Sequence, residues 1–126
     1  MNRTPKETLE AFWNAMQTND FSQASLLLAE TYTLHYPQSQ ETFRGREHFV
    51  QINSAYPAHG PWQFTVHRVV VEGTQVVSDV SVTDGVVRAR VITVSTVEKG
   101  MIQEQLEFWP EPFEIPAWRQ SWSQHD

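Results

Sequence analysis

The sequence predicts an α+β domain in which N-terminal helices pack on one face of a strongly curved, mostly antiparallel sheet. Two observations lead to this prediction. Helical patterns surround a single short strand pattern in the first half of the chain, and strand patterns alone follow from residue 62 to residue 109. Tight turns join the later strands, and such consecutive strands pair as an antiparallel meander. A sheet curled against helices would leave a conical cavity at its open end.

The first helix has a complete start signal. Thr4 can cap the helix, Pro5 suits its first position because no needed amide is lost there, and Glu7 can bond back to the cap. An apolar stripe follows at helical spacing, and the helix is expected to end at Asn19-Asp20. The stripe consists of Leu9, Phe12, Trp13 and Met16.

Four shorter elements are expected before residue 60. A second, short helix is predicted over residues 20–28. Alternation predicts a strand over residues 32–36, and the polar segment 38–44 predicts a loop. A third helix is expected over residues 46–56, because Gly45 precedes its apolar face and a proline follows it.

The second half of the chain contains the strands. Strand patterns cover residues 62–71 and 75–83, and a long hairpin covers residues 86–109. The Lys99-Gly100 turn divides the hairpin, because glycine accepts the positive φ that a two-residue turn requires. An unbroken register from this turn would place Ile92 opposite Glu107.

One face of that hairpin mixes polar and apolar groups. With the unbroken register, alternation gives this face a carboxylate, two arginines, amides and an indole. The face would hold Arg88, Arg90, Ile92, Val94, Gln103, Gln105, Glu107 and Trp109. A mixture of this kind is typical of the lining of a ligand pocket.

Composition excludes several functional classes. The 126 residues include no cysteine, which excludes thiol catalysis, disulfides and cysteine-based zinc sites. A formal charge of −6 argues against a nucleic-acid partner. No apolar run approaches the roughly 18 residues of a membrane span, so we expect no membrane partner and a cytoplasmic location. The sequence contains neither a glycine-rich phosphate loop nor metal-ligand spacing, so no cofactor is expected.

No linker or repeat divides the chain. We therefore expect a single domain over residues 1–126. Residues 110–126 are expected to form an irregular, proline-rich tail, because prolines interrupt regular elements.

Glu107 is the main catalytic candidate. If its face lines a cavity, poor solvation would raise the pKa of this carboxyl group and suit it to the role of general base. The alternative is a structural glutamate paired with Arg90, which would lower the pKa instead. Tyr36 is a candidate hydrogen-bond donor to a substrate oxygen, and the alternative is a packing tyrosine with a hydrated hydroxyl group. The expected pocket lining is Phe12, Trp13, Tyr32, Arg90, Ile92, Gln105 and Trp109.

The order of elements and three short segments resemble the nuclear transport factor 2-like (NTF2-like) superfamily. The segments are Leu34-His35-Tyr36-Pro37, Phe43-Arg44-Gly45-Arg46 and Glu107-Phe108-Trp109-Pro110. Within the superfamily, the chain resembles the SnoaL-like polyketide cyclase and ketosteroid isomerase branch over about residues 4–110. The resemblance implies a cone-shaped NTF2-like or cystatin-like fold and a homodimer formed through the sheet.

The catalytic residues of that branch correspond only in part. The general-base aspartate of the isomerases corresponds to Tyr36, their oxyanion tyrosine to Phe12, and their second oxyanion acid to Ile92. Steroid isomerisation is therefore not supported. The cyclases are a better match, because Glu107 stands where their last strand carries an acidic residue, while Gln105 replaces a frequent histidine.

Three functions follow from these observations. The first is proton-transfer chemistry of the isomerase, cyclase or dehydratase type on a small apolar carbonyl compound. The second is binding of a small hydrophobic molecule without catalysis. The third is a dimeric adaptor module in which side chains fill the cavity.

Overall fold

The structure, a computed structural model, describes residues 3–124. The helices are α1 (Pro5–Gln17), α2 (Phe21–Ser25) and α3 (Arg46–Ala55). The strands are β1 (Leu28–Tyr36), β2 (Glu41–Arg44), β3 (Gln63–Glu72), β4 (Gln75–Thr83), β5 (Arg88–Glu98) and β6 (Met101–Phe108). A 3-10 helix, Ala117–Trp122, follows the last strand.

All six strands form one sheet in the order β2-β1-β6-β5-β4-β3. β1 runs parallel to β6, and every other neighbouring pair is antiparallel. α1 contacts β3, β4, β5 and β6, while α3 contacts β1 and β2. The helices therefore cover one face of a mostly antiparallel sheet, which confirms the predicted α+β class.

α1 begins as its sequence predicts. The Glu7 amide donates to Thr4 Oγ1 at 3.1 Å, and the Thr4 amide donates to Glu7 Oε1 at 2.8 Å. A cap of this kind contributes about 1 kcal/mol of helix stability. The predicted apolar stripe is buried, and Thr8 is buried with it. The stripe packs into the core between helix and sheet, where each large apolar side chain contributes roughly 1.5–3 kcal/mol.

The segment before α3 differs from the prediction in two places. β1 begins at residue 28, and α2 is correspondingly shorter, because β1 pairs with a neighbour on each side. Residues 41–44 form β2, where a loop was expected. Four residues with one large apolar side chain carry no readable alternation, and pairing with β1 fixes their conformation instead.

The hairpin between β5 and β6 has a bulge that shifts its register by one residue. Glu98 pairs with Met101 as predicted, through a turn in which Lys99 and Gly100 have φ of 53° and 71°. Beyond Val97 and Ile102, however, the register shifts, and Thr96 pairs with Glu104. The unbroken register expected from the sequence is therefore wrong, because one strand contains an extra residue, Gln103.

This shift changes which residues share a face with the candidate carboxylate. Thr93, and not Ile92, lies opposite Glu107. Because side chains alternate along a strand, Arg90 and Ile92 lie on the outer face of the sheet, away from the helices. The face that the helices cover instead carries Val91, Thr93, Ser95 and Val97, all of which are buried.

The chain after β6 is not wholly irregular. Residues 110–116 have no regular structure, as their prolines predict, but Ala117–Trp122 form a 3-10 helix. This corrects the expectation of an irregular tail throughout, because the chain beyond Pro116 contains no further proline. Trp118 and Trp122 in this helix are 71% and 80% exposed. Residues 125 and 126 of the predicted tail lie outside the described residues.

Candidate functional site

A cavity of about 980 Å³ lies between the helices and the covered face of the sheet. This volume falls at the upper end of the range of about 300–1,000 Å³ that is typical of small-molecule pockets. α1 and α3 supply one wall and the strands supply the other. The lining includes the polar residues Gln105 and Glu107 and the aromatic residues Phe12, Trp13, Tyr36, Phe49, Tyr56, Trp62 and Trp109.

Glu107 supplies a carboxylate to this largely apolar space. Its Oε1 accepts a hydrogen bond from Thr93 Oγ1 at 3.1 Å. Burial raises the pKa of Glu107, while the nearby Trp109 indole and the Thr93 hydroxyl oppose this shift. The net direction is upward because the lost hydration outweighs the two donors. The Trp109 Nε1–H lies close enough to favour the charged form, but its geometry does not meet that of a hydrogen bond.

No cationic side chain among residues 3–124 compensates the charge of Glu107 within ion-pair distance. Arg90, its expected partner, instead makes a bidentate ion pair with Asp79 on the outer face, with Nη2 2.9 Å from Oδ2. Arg68 also contacts Asp79, at 3.1 Å. The hydrogen bonds from Arg90 lower the pKa of Asp79, so this cluster is charged and self-contained.

Gln105 is held in a fixed orientation beside Glu107. The Tyr32 hydroxyl donates to Gln105 Oε1 at 2.6 Å, and Gln105 Nε2 donates to Ser95 Oγ at 3.1 Å. Tyr32 and Gln105 are both almost fully buried. Burial raises the pKa of Tyr32 well above its ordinary value, so the phenol remains a neutral donor. Tyr32 thus supports the cavity wall from behind and does not line the cavity itself.

Tyr36 contributes a phenol to the cavity lining. Its ring packs edge-on against Phe43 at a centroid distance of 5.2 Å. Within the described part of the chain, its hydroxyl group makes no hydrogen bond. Burial raises the pKa of Tyr36, and the charge of Glu107 raises it further. The phenol is therefore protonated at neutral pH and can donate to a ligand oxygen.

Aromatic rings form most of the helix-side wall. Phe12 contacts the rings of Trp13 and Phe49 at centroid distances of 5.1 and 5.9 Å, and Trp13 contacts Phe64 at 5.7 Å. At the far end of α3, Tyr56 packs edge-on against Trp62 at 5.3 Å. Such rings provide a large apolar contact area for a flat or alicyclic ligand.

Asp84 joins two loops near the cavity through hydrogen bonds. Asp84 Oδ2 accepts from the His59 amide at 2.9 Å and lies 3.1 Å from His59 Nδ1. Its Oδ1 accepts from the amides of Val86 and Val87. These bonds lower the pKa of Asp84, with the His59 amide making the largest contribution. The same bonds join the segment after α3 to the turn between β4 and β5.

The structure thus brings together only part of the predicted site. Phe12, Trp13, Tyr36, Gln105, Glu107 and Trp109 surround one cavity. Arg90 and Ile92 do not line it, because the bulge places them on the opposite face of the sheet. Tyr32 lies behind the wall.

Several residues at the cavity escaped the sequence analysis. Thr93 and Ser95 were missed because only the bulge brings them opposite Glu107 and Gln105. Phe49 and Tyr56 of α3 had a signal, since they follow a helical apolar spacing, but that spacing is typical of core residues as well.

Between residues 3 and 124, no three His, Asp, Glu or Cys side chains converge in a way that could hold a metal ion. None of the helices in this range is long and apolar enough to cross a membrane.

Comparison with known proteins links the geometry to one family. A family model described as the SnoaL-like domain matches residues 9–105. Comparison with curated proteins gave no match.

Solved structures resemble nearly the whole chain. A protein from Kribbella flavida, provisionally named a ketosteroid isomerase, is 26% identical with a TM-score of 0.87, over 97% of this chain and 89% of that chain. An NTF-2 like protein of unknown function from Burkholderia xenovorans is 26% identical with a TM-score of 0.79, over 97% and 94% of the two chains. A LEH-like epoxide hydrolase from M. tuberculosis is 20% identical with a TM-score of 0.66, over 82% and 80%, and this likeness shows the fold alone.

Proposed function

Since this chain belongs to the SnoaL-like domain family, we propose that its cavity binds a small, largely apolar carbonyl compound and that Glu107 catalyses proton transfer on it. The observation that carries this proposal is a carboxylate on the wall of an aromatic cavity, with no cationic side chain of the described residues within ion-pair distance. Burial raises the pKa of Glu107, which brings the carboxylate closer to the basicity that proton abstraction near neutral pH requires.

Tyr36 and Glu107 supply complementary chemical groups. The carboxylate would remove a proton from the carbon next to the carbonyl group, and the protonated Tyr36 phenol would donate to the carbonyl oxygen as negative charge develops there. The proton would reside on Glu107 until it returns to another carbon, which is an isomerisation. In an elimination, the enolate electron pair would form a C=C bond as the bond to a leaving group breaks, and the proton would pass from Glu107 to that leaving group. The name of the Kribbella flavida protein agrees with chemistry of this type.

The test uses 1-tetralone, a bicyclic ketone whose α-hydrogens exchange slowly in neutral water. Exchange of these hydrogens for deuterium in D₂O, followed by NMR, measures proton abstraction without knowledge of the natural substrate. We expect the protein to accelerate exchange and Glu107→Gln to reduce the acceleration by about 100-fold or more. Glu104→Gln is the matched control, because Glu104 lies on the same strand and is exposed. Full activity in Glu107→Gln would show that another group is the base.

Binding without catalysis is the second candidate function, and one observation favours it. Tyr36 stands where the isomerases carry their general-base aspartate, and Phe12 stands where they carry their oxyanion tyrosine, so neither isomerase group is present at its usual position. Saturable binding of 1-tetralone, measured by calorimetry, with no accelerated exchange would favour this function over the enzyme. The adaptor hypothesis gains no support from side-chain packing, because a large cavity remains between helices and sheet.

A further inference from the structure

Thr93 occupies an unusual place for a polar side chain. It lies in the middle of β5, on the face that the helices cover, and it is fully buried. A hydroxyl group buried without a partner destabilises the folded state, and valine would fill the same volume without this cost. Among the described residues, the only hydrogen bond of this hydroxyl group is the one to Glu107 Oε1, at 3.1 Å.

The bond distinguishes the two oxygens of the carboxylate. Thr93 lies opposite Glu107 on the neighbouring strand, and its hydroxyl group holds Oε1. Oε2 accepts no hydrogen bond of good geometry from the part of the chain that the structure describes, although the Trp109 indole lies near the carboxylate. A carboxylate fixed through one oxygen keeps its second oxygen available and loses rotational freedom, which is how supporting hydrogen bonds preorganise a catalytic group.

The remaining titratable groups around the cavity do not replace this contact. Tyr32 and Tyr36 face Glu107 from β1, and both phenols are neutral at ordinary pH. Arg88 and Glu111 also line the cavity, and neither makes an ion pair with Glu107. α1 and α3 contribute only uncharged side chains to the lining.

We propose that Thr93 is the positioning residue for Glu107, holding Oε1 so that Oε2 is the atom that takes the substrate proton. This inference rests on the proposed function of Glu107 as a base. In the forward step, a C–H bond of the substrate breaks and the proton forms an O–H bond with Oε2. The electron pair of the C–H bond becomes the C=C bond of an enolate, while the π pair of the carbonyl group moves to its oxygen. The bulge at Gln103 is what brings Thr93 into this place, since the unbroken register would have presented Ile92.

The test compares Thr93→Val, which keeps the shape and removes the hydroxyl group, with Thr93→Ser, which keeps the hydroxyl group. Thr96→Val is the control, because Thr96 lies on the same strand and faces the other way. The first readout is the titration midpoint of the Glu107 side chain, followed by ¹³C NMR of protein with labelled glutamate. We expect Thr93→Val to raise the midpoint by about one pKa unit, because the charged form loses a donor. Thr93→Ser should remain near the wild-type midpoint.

The second readout separates positioning from mere packing. In 1-tetralone exchange, Thr93→Val should lower kcat about tenfold or more with little change in KM, and Thr93→Ser should restore most of the loss. Should Thr93→Val fail to fold, Thr93→Ala provides the same comparison with Thr93→Ser. An unchanged Glu107 midpoint in the folded variant lacking the hydroxyl group would overturn the proposal. The titration requires no catalysis, so it gives an answer even if the exchange assay shows that the protein is only a binder.

Discussion

At the scale of single residues, two opposing effects determine the pKa of Glu107. Burial withdraws water from the carboxylate, and the Thr93 hydroxyl and Trp109 indole return part of the lost stabilisation. A nearby cation would have lowered the pKa of Glu107, but Arg90 forms its ion pair with Asp79 on the other side of the sheet. The result is a carboxyl group whose pKa is raised by its surroundings, which is the property that a general base requires.

The raised pKa of Glu107 predicts a dependence of stability on pH. The folded protein keeps this proton to a higher pH than the unfolded chain does, so the free energy of unfolding falls as pH rises from the unfolded-state pKa to the folded-state pKa. Glu107→Gln should therefore be more stable than wild type above this window, by about 1.4 kcal/mol for each unit of pKa elevation. Below the window the two proteins should match. Urea denaturation at pH 3.5 and pH 8 measures the difference, and an equal difference at both values would contradict the expectation.

Replacement of Tyr32 or Tyr36 with phenylalanine should affect stability and activity in opposite ways. Tyr32→Phe removes the donor to the buried Gln105 amide and should cost about 1–3 kcal/mol of stability, measured by urea denaturation. Tyr36→Phe removes a hydroxyl group with no recorded partner in the described chain, so stability should change by less than about 0.5 kcal/mol. In the 1-tetralone exchange assay, by contrast, Tyr36→Phe should lose more activity than Tyr32→Phe. Equal effects in both assays would remove the distinction between supporting and ligand-binding tyrosines.

At the scale of elements, the β5–β6 hairpin decides the character of the site. Its turn fixes Glu98 opposite Met101, and Gln103 is an extra residue beyond it. Ile102 and Gln105 are both buried, although regular alternation over three positions would place them on opposite faces. The bulge between them therefore allows the turn and the inward orientation of Glu107 to coexist.

The bulge makes the position of Glu107 sensitive to the length of β6. Deletion of Gln103 should give a regular hairpin with the same facing pairs, so the variant should fold and keep Glu107 opposite Thr93. Insertion of one alanine after Gln103 should restore regular alternation with Glu107 two positions further along β5, opposite Val91 and still facing the cavity. The ¹³C titration midpoint of Glu107 separates the two variants, since it should be higher in the insertion, where the charged form loses the Thr93 donor. Equal midpoints in the two folded variants would contradict the assigned role of the bulge.

Some elements follow from local sequence, whereas others depend on pairing with distant parts of the chain. The start of α1 was predictable because capping depends on local residues, and Thr4 and Glu7 form the expected reciprocal bonds. β2 was not predictable, because pairing with β1 creates it. The presence of Glu107 in the site could be inferred from its mixed neighbourhood, but its partner could not. A bulge leaves no mark in an alternating pattern, so Ile92 was expected opposite Glu107, where Thr93 stands.

At the scale of the whole molecule, the outer face of the sheet suggests how two copies would meet. Four apolar side chains on β5 and β6 are only half-buried there: Ile92, Val94, Leu106 and Phe108. The ion pairs of Asp79 with Arg68 and Arg90 lie beside them on the same face. A patch of this composition, with polar groups at its side, is typical of a surface that another protein covers.

We expect a homodimer through this face. Leu106→Asp places a charge at the centre of the patch and should give a monomer in size-exclusion chromatography with light scattering, because burying an unpaired charge is costly. Val86→Asp is the matched control, since Val86 is exposed in the turn between β4 and β5, away from the patch. A monomeric wild type, or a dimer that survives Leu106→Asp, would contradict the expectation.

The cavity, its aromatic wall and its proposed chemistry all depend on the state of one carboxyl group. The most direct measurement is therefore the ¹³C NMR titration of Glu107 in the wild-type protein, with its resonance identified by comparison with Glu107→Gln. We expect a midpoint clearly above the ordinary glutamate value of about 4.3, because burial disfavours the charge. A midpoint at or below that ordinary value would mean that water or a cation stabilises the carboxylate, and it would contradict the role of Glu107 as a base in this cavity.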